Sequence, residues 1–238
     1  MDTEVPRVLS LLWGQADGAR RGPKPALTLE RIGLAAIELA DAHGLGGVSM
    51  KRVAEAVGVS TMALYRYVDT KDDLLTVMLE FASIPAPDLR RRRSWRSALE
   101  AWCRAYRDVL LAHPWMLDIP VTEPPATPEQ LRWMEAMVLA LDGTGLTSQE
   151  RTGVLLQLNV YVRGDVALSN GVGEQDDVSP TWVAKVLALA DPADYPAVFG
   201  LLGSGEFDED DDPAEQFEFG LQRTLDGIAL LVDRRSAG

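Results

Sequence analysis

Six residues whose side chains could do chemistry stand close together in the sequence: Ser60, Thr61, Met62, Tyr65, Arg66 and Tyr67. Hydroxyls, phenols and one cation at this spacing are suited to phosphate oxygens and to the edges of bases. They lie in the segment Val48 to Val68, which reads as two short helices joined by a tight turn. Ser49 and Ser60 are N-cap residue types. Gly58 sits where the turn demands a positive φ. Val53, Ala54, Val57, Leu64 and Val68 supply a small core that fixes the crossing of the two helices, and Val59 tucks between them. A helix presented this way fits the width of the DNA major groove. From the pattern alone, a plain helical hairpin remains the alternative.

Catalytic chemistry finds little support. The chain carries no nucleophile paired with a base, no glycine-rich phosphate loop and no metal-spaced cluster. Of its two histidines, His43 falls in the first helical segment and His113 precedes Pro114 at a helix C-terminus. The acid run Glu206, Asp208 to Asp212 lacks the alternating ligands and central glycine of a calcium loop, and reads as solvated. One cysteine, Cys103, excludes an internal disulfide and a multi-cysteine zinc site. No catalytic residue, metal or cofactor is therefore expected, although Asp/Glu pairs leave an enzyme open as a rival reading. A helical adaptor that binds protein and never touches DNA is the second rival.

The elements that position these residues follow from composition and period. The 238 residues are 47% apolar and 25% charged, enough for one large domain or two smaller ones. No apolar run approaches the roughly 18–20 residues of a membrane span. Asp2 and Glu4 before the apolar patch Val8 to Trp13 do not make a secretion signal, so a cytoplasmic setting is expected. The net charge of −13 is unevenly spread: Gly18 to Lys71 holds eight bases against five acids. A locally basic module on an acidic body can still bind phosphate.

Residues 1–27 read as a basic arm, because Arg20-Arg21-Gly22-Pro23-Lys24-Pro25 cannot form regular helix. It is either a floppy leader or an arm laid along DNA. Thr28 then caps a helix carrying Ile32, Ala36, Leu39 and Ala40. Helices capped by Ser49 and Ser60 follow, the latter reaching Val68, and Thr70 with Asp73 starts a fourth. Pro85 and Pro87 mark a bend, placing a boundary between residues 28–88 and 89–238. Long helices are expected at Ser94 to His113, Pro128 to Leu141, Thr147 to Ser169, Ser179 to Ala190 and Pro213 to Val232. No strand pattern or internal repeat stands out, and the fold class is all-α: a three-helix head, a linking helix and a helical body.

The head resembles the DNA-binding domain of the tetracycline-repressor family. The resemblance runs through Ala-Asp-Ala-His-Gly-Leu (40–45), Ser-Met-Lys-Arg-Val-Ala (49–54), Val-Gly-Val-Ser (57–60), Ala-Leu-Tyr-Arg-Tyr-Val (63–68) and Lys-Asp-Asp-Leu-Leu (71–75). It implies that Met50 and Lys51 face phosphate or the groove edge, and that Thr61 and Met62 lead the recognition helix toward bases. Tyr65 and Tyr67 then approach the backbone, Arg66 a base or phosphate, and Lys71 a phosphate. Thr61 and Met62 differ from the family's namesake, which implies a different operator. Ser94-Trp95 to Pro114 and the tail Phe217 to Ile228 are similar to the C-terminal domain of actinobacterial members. The resemblance implies a homodimer joined by residues 148–169 and 214–233, acting on double-stranded operator DNA as a repressor released by a small-molecule effector. The namesake's magnesium chelate is held by histidines that this body lacks, apart from His113.

The body itself suggests where an effector would sit. Trp102 and Tyr106 are four apart and share a helix face, as do Trp133 and Met137, and Asn159 and Arg163. Two polar anchors among aromatics match the make-up of a site for a largely apolar small molecule. The same aromatics would serve equally as packing, with Arg163 paired to an acid such as Asp165 or across a dimer. The stripe Phe217, Leu221, Leu225, Ile228 and Leu231 is likewise suited to a core or an interface.

Overall fold

The computed structural model describes residues 5–15, 27–83, 85–90, 92–121, 124–173, 178–204 and 213–237. Their regular structure is helical, with no strand among them. The basic segment Arg20 to Pro25 and the acid run Glu206 to Asp212 lie outside the described residues.

Local chemistry sets most helix starts. Thr28, Ser49 and Ser60 accept hydrogen bonds from the backbone N–H groups of Arg31, Arg52 and Ala63, opening α2 (Leu29–His43), α3 (Met50–Ala56) and α4 (Thr61–Leu64). Thr70 and Asp73 form a reciprocal capping box at the start of α5 (Lys71–Ala82). Ser94 with Ser97, and Thr127 with Gln130, do the same for α6 (Trp95–Ala112) and α7 (Pro128–Ala140). Each such cap is worth about 1 kcal/mol. The order ends with α8 (Ser148–Gly173), α9 (Val178–Leu189), α10 (Pro196–Leu202) and α11 (Pro213–Ser236). Short 3₁₀ turns stand at Leu45–Gly47 and Pro114–Leu117.

Three elements differ from the sequence expectation. The patch Val8 to Trp13, read within the arm, begins with a helix, α1 (Arg7–Leu12). Six residues are too few to be stable alone. Tertiary contacts hold it: Val8 is buried, α1 packs on α5, and Arg7 donates to the Arg66 carbonyl and pairs with Asp69 at 3.3 Å. The helix expected to run to Val68 is α-helical only to Leu64. Its last turn tightens, with Arg66 N donating to Ala63 O and Tyr67 N to Leu64 O. The helix α10 was not anticipated, and it buries no side chain within this chain.

The head core gathers Ile32, Ala36, Val53, Leu64, Val68, Leu74, Val77 and Met78, all buried. There α2 and α5 pack closely. A Cβ on Gly33 would fall 2.7 Å from the Phe81 ring, so glycine permits this approach. The body core is built from Leu99, Cys103, Leu110, Met137, Leu141, Leu158, Val162, Val166, Leu221 and Leu225. Head and body meet through polar contacts. Trp115 Nε1 donates to Asp41 Oδ1 at 2.6 Å, Trp133 Nε1 to Ser83 O at 2.7 Å, and Glu129 N to Glu80 Oε2 at 2.9 Å.

Candidate nucleic-acid interface and effector site

The turn between α3 and α4 holds Gly58 at φ 74°. Val59 N donates back to Ala54 O at 2.9 Å, tying the two helices. Val53, Ala54, Val57, Leu64 and Val68 are buried beneath them, as their spacing suggested. On the outer side Met62 is 76% exposed and Tyr65 41%, with Arg66 also exposed and Thr61 half-buried. Ser60 is exposed, with its Oγ engaged by the cap. Lys51 is exposed and reaches only Glu55, at 3.9 Å, which leaves its charge free to move to a stronger partner. Lys71 is exposed at the first residue of α5.

Other residues of this face turn inward. Met50 is half-buried against the core. Tyr67 Oη donates to Leu27 O at 3.0 Å, so its hydroxyl hydrogen is spent anchoring the chain that enters α2. Two of the local bases serve the fold: Arg52 donates to Gly47 O at 2.7 Å, and Arg31 to Val57 O at 3.3 Å. The face therefore presents two exposed lysines flanking a row of Thr61, Met62, Tyr65 and Arg66.

In the body, Trp102, Tyr106 and Trp133 form one cluster, with ring centroids 5.1–5.9 Å apart. Trp102 Nε1 donates to Trp133 O at 2.9 Å, fixing α6 against α7. Arg163 reaches this cluster from α8. It donates to Tyr106 Oη at 3.4 Å and to the carbonyls of Met116 and Leu117 at 3.2 and 3.4 Å. Met137 is fully buried one turn along α7 from Trp133. Asn159 is half-buried one turn along α8 from Arg163 and has no hydrogen-bond partner among the described residues. Arg163 is not paired with Asp165, whose carboxylate accepts from Arg107 at 2.9 Å. Burial pushes the nearby Cys103 thiol up to about 12, and burial together with Asp165 raises the Tyr161 phenol to about 12.

The stripe on α11 proves to be core. Phe217, Leu221, Leu225 and Ile228 are at most 3% exposed within the single chain, and Leu231 is half-buried. A different face stays open. Leu156, Val160 and Leu168 of α8, with Phe219 and Leu230 of α11, are 57–72% exposed. Among the described residues no group of histidine, cysteine and carboxylate side chains could hold a metal ion, and no helix is long and apolar enough to cross a membrane.

The head–body contacts were not anticipated. Asp41, Ser83, Glu80 and Glu129 carry no local signal of such a role, since their partners are 43–74 residues away in sequence.

Comparison with known proteins agrees with this arrangement. Residues 32–78 match the bacterial regulatory proteins of the tetR family, and residues 86–232 match the tetracyclin repressor-like C-terminal domain. The chain is 37% identical to the helix-turn-helix transcriptional repressor DrrR1 of Streptomyces coeruleorubidus, over 98% of this chain and 88% of the relative. It is 32% identical to a helix-turn-helix transcriptional regulator of Saccharopolyspora erythraea, over 87% of this chain and 86% of the relative. The fold is shared with the Streptomyces coelicolor protein ActR, solved in complex with actinorhodin. There the TM-score is 0.73 at 24% identity, covering 87% of this chain and 96% of ActR.

Proposed function

This chain belongs to the tetracycline-repressor family of bacterial transcription regulators, and we propose that it is a cytoplasmic homodimeric repressor that leaves its operator when an effector binds the body. The observation that carries the reading is the row of half-buried Thr61 with exposed Met62, Tyr65 and Arg66, between the exposed Lys51 and Lys71, on a helix and its tightened last turn, whose start is capped and whose back is buried. Ser60, Thr61 and Met62 lead into the major groove. Tyr65, Arg66, Lys51 and Lys71 take phosphates or base edges. Met50 and Tyr67 shape this surface from its partly buried side, and Tyr67 can still accept a hydrogen bond at its oxygen. The head spans residues 28–88 and the body 89–238, with residues 1–27 preceding them.

Two heads reach successive major grooves, about 34 Å apart, when two copies pair through the open face of α8 and α11. An effector lodges against Trp102, Tyr106, Trp133 and Met137, with Asn159 and Arg163 as polar anchors. It acts on the heads through contacts already in place. Trp133 holds Ser83 at the end of α5, and Arg163 holds the turn whose Trp115 grips Asp41 of α2. Binding that favours one arrangement of these contacts shifts the population toward a head spacing that fits DNA poorly. The role is regulatory, and no catalytic residue is assigned.

An electrophoretic shift with DNA from upstream of the chain's own gene, run across a salt series, tests the reading. Retarded DNA whose affinity falls with salt is expected. No retardation at any salt, with the protein folded, would favour the protein-binding adaptor.

A further inference from the structure

We infer that the short helix α1 is a clasp between head and body, in which Arg7 is a positioning residue for DNA binding and Trp13 is the tie to the body. The inference rests on the reading of the recognition helix as the DNA-binding element.

The helix is a built element despite its six residues. Pro6 stands at its N-cap, and its far end forms a Schellman motif. Gly14 takes φ 66° there, its N–H donates to Leu11 O at 3.1 Å, and Gln15 N donates to Ser10 O at 2.8 Å. Val8 is 3% exposed, and Leu9 and Leu12 pack on the core beside it. The contacts run α1 along α5. Arg7 meets Asp69, just before that helix, and Trp13 meets a loop joined through Glu129 to Glu80 near its end.

At its first residue α1 completes the recognition helix. The chain leaves α-helical geometry after Leu64, so the Arg66 carbonyl loses the N–H that a continued helix would bring to it. That N–H, of Thr70, goes to Asp73 at 3.1 Å. Arg7 supplies a donor in its place: its guanidinium donates to Arg66 O and meets Asp69 at 3.3 Å. The ion pair is about half exposed on both sides and holds little by itself. Its use is to aim the guanidinium at the carbonyl. The Arg66 side chain stays exposed, so Arg7 fixes the backbone from which a residue of the outer row projects.

At the other end, Trp13 Nε1 donates to Ala126 O at 3.0 Å, across 113 residues of sequence. Ala126 directly precedes the Thr127 cap of α7, the helix whose Trp133 holds Ser83. A shift of α7 therefore reaches the last turn of the recognition helix through Trp13, α1 and Arg7, a route separate from the joint at Asp41.

Two measurements on the full chain test the clasp: affinity for a duplex from upstream of its own gene across a salt series, and amide exchange at Arg66 and Tyr67. Arg7→Met should weaken binding about fivefold, the worth of one hydrogen bond, with the salt slope unchanged. Arg7→Lys, which keeps a donor and a charge, should return to within about twofold of wild type. Trp13→Phe keeps the ring and loses the N–H. It should also weaken binding, although Trp13 faces the body, and both amides should exchange faster in it and in Arg7→Met. The double variant should lose no more than about twofold beyond the larger single loss, because either change opens the same clasp. Unchanged affinity in Arg7→Met, a salt slope lowered by about one (a direct phosphate contact), unaltered exchange in Trp13→Phe, or full additivity would each overturn the inference. Should Arg7→Met fail to fold by circular dichroism, Trp13→Phe and its exchange decide. A wild-type chain that leaves the duplex unretarded sinks the DNA-binding reading instead, and the exchange measurement then decides the clasp alone.

Discussion

Trp115 Nε1 donates to Asp41 Oδ1 at 2.6 Å, a bond between residues 74 apart in sequence that joins the 3₁₀ turn of the body to α2 of the head. His113 Nδ1 lies 2.8 Å from the same carboxylate oxygen. One head carboxylate thus receives two side chains of a single body segment. That segment also supplies the carbonyls held by Arg163.

Breaking this joint should loosen the head on the body. Trp115→Phe keeps most of the buried ring, and Asp41→Asn keeps the shape. Each is expected to lose about 1–3 kcal/mol of stability, the range for a hydrogen bond to a charged group. In urea unfolding the two losses should be non-additive by at least about 0.5 kcal/mol, because they share one bond. Full additivity would show that the contact carries no energy.

Tyr65→Ala and Lys71→Ala should each weaken operator binding while leaving the thermal midpoint within a few degrees of wild type. Both side chains are exposed, and neither supports the head core. Losing Lys71 should also lower the salt slope of binding by about one, the signature of one phosphate contact. Unchanged affinity in both folded variants would remove this face from the DNA.

Aspartate at Val160 or Phe219 should produce a folded monomer. Both side chains are more than 60% exposed in the single chain, so a charge there costs little until a second copy covers it. Leu225→Asp should instead unfold the body, because Leu225 is wholly buried within its own chain. Sedimentation and circular dichroism separate the outcomes. A wild-type chain that sediments as a monomer at micromolar concentration would end the two-groove arrangement.

Glu150 and Arg235 set a pH dependence. The guanidinium of Arg235, at 2.7 Å, and the N–H of Thr147 lower the Glu150 carboxyl from 4.5 to about 2. Because the folded value lies below the unfolded one, its stabilisation is present above pH 4.5 and is lost as pH falls through about 2. Arg235→Gln should therefore lower the Tm at pH 7 and narrow its gap from wild type toward pH 2. Glu218 and Asp226, also depressed by arginines, titrate in both proteins and leave the comparison intact. A gap that persists at the lowest pH would place the effect of Arg235 elsewhere.

Much of the head was legible because its determinants are local. A cap joins residues three apart, so Thr28, Ser49, Ser60, Thr70 and Ser94 announce the starts of α2 to α6 by type alone. Gly58 marks its turn because few other residues tolerate φ 74°. The sharing of one face by Trp102 and Tyr106, or by Asn159 and Arg163, follows from the helical period.

What period cannot state is which neighbour covers a face. The stripe of α11 was equally suited to a core and to an interface, and only the packing of α6 and α8 over Phe217, Leu221 and Leu225 made it core, leaving Phe219 and Leu230 outside. Nor does period state whether Arg163 pairs with an acid such as Asp165 or across a dimer. Tertiary structure gave Asp165 to Arg107 and left Arg163 to carbonyls 46 and 47 residues away. The six residues of α1 were too few to show a period, and α5, Asp69 and the Arg66 carbonyl hold them in place. By itself the sequence determined the long helices, the caps of α2 to α6 and the turn before α4, since these depend on residues within one turn of each other. The tertiary structure alone decided the joint between head and body and the carbonyls that Arg163 holds beside the aromatic cluster, since both depend on partners brought together only by folding.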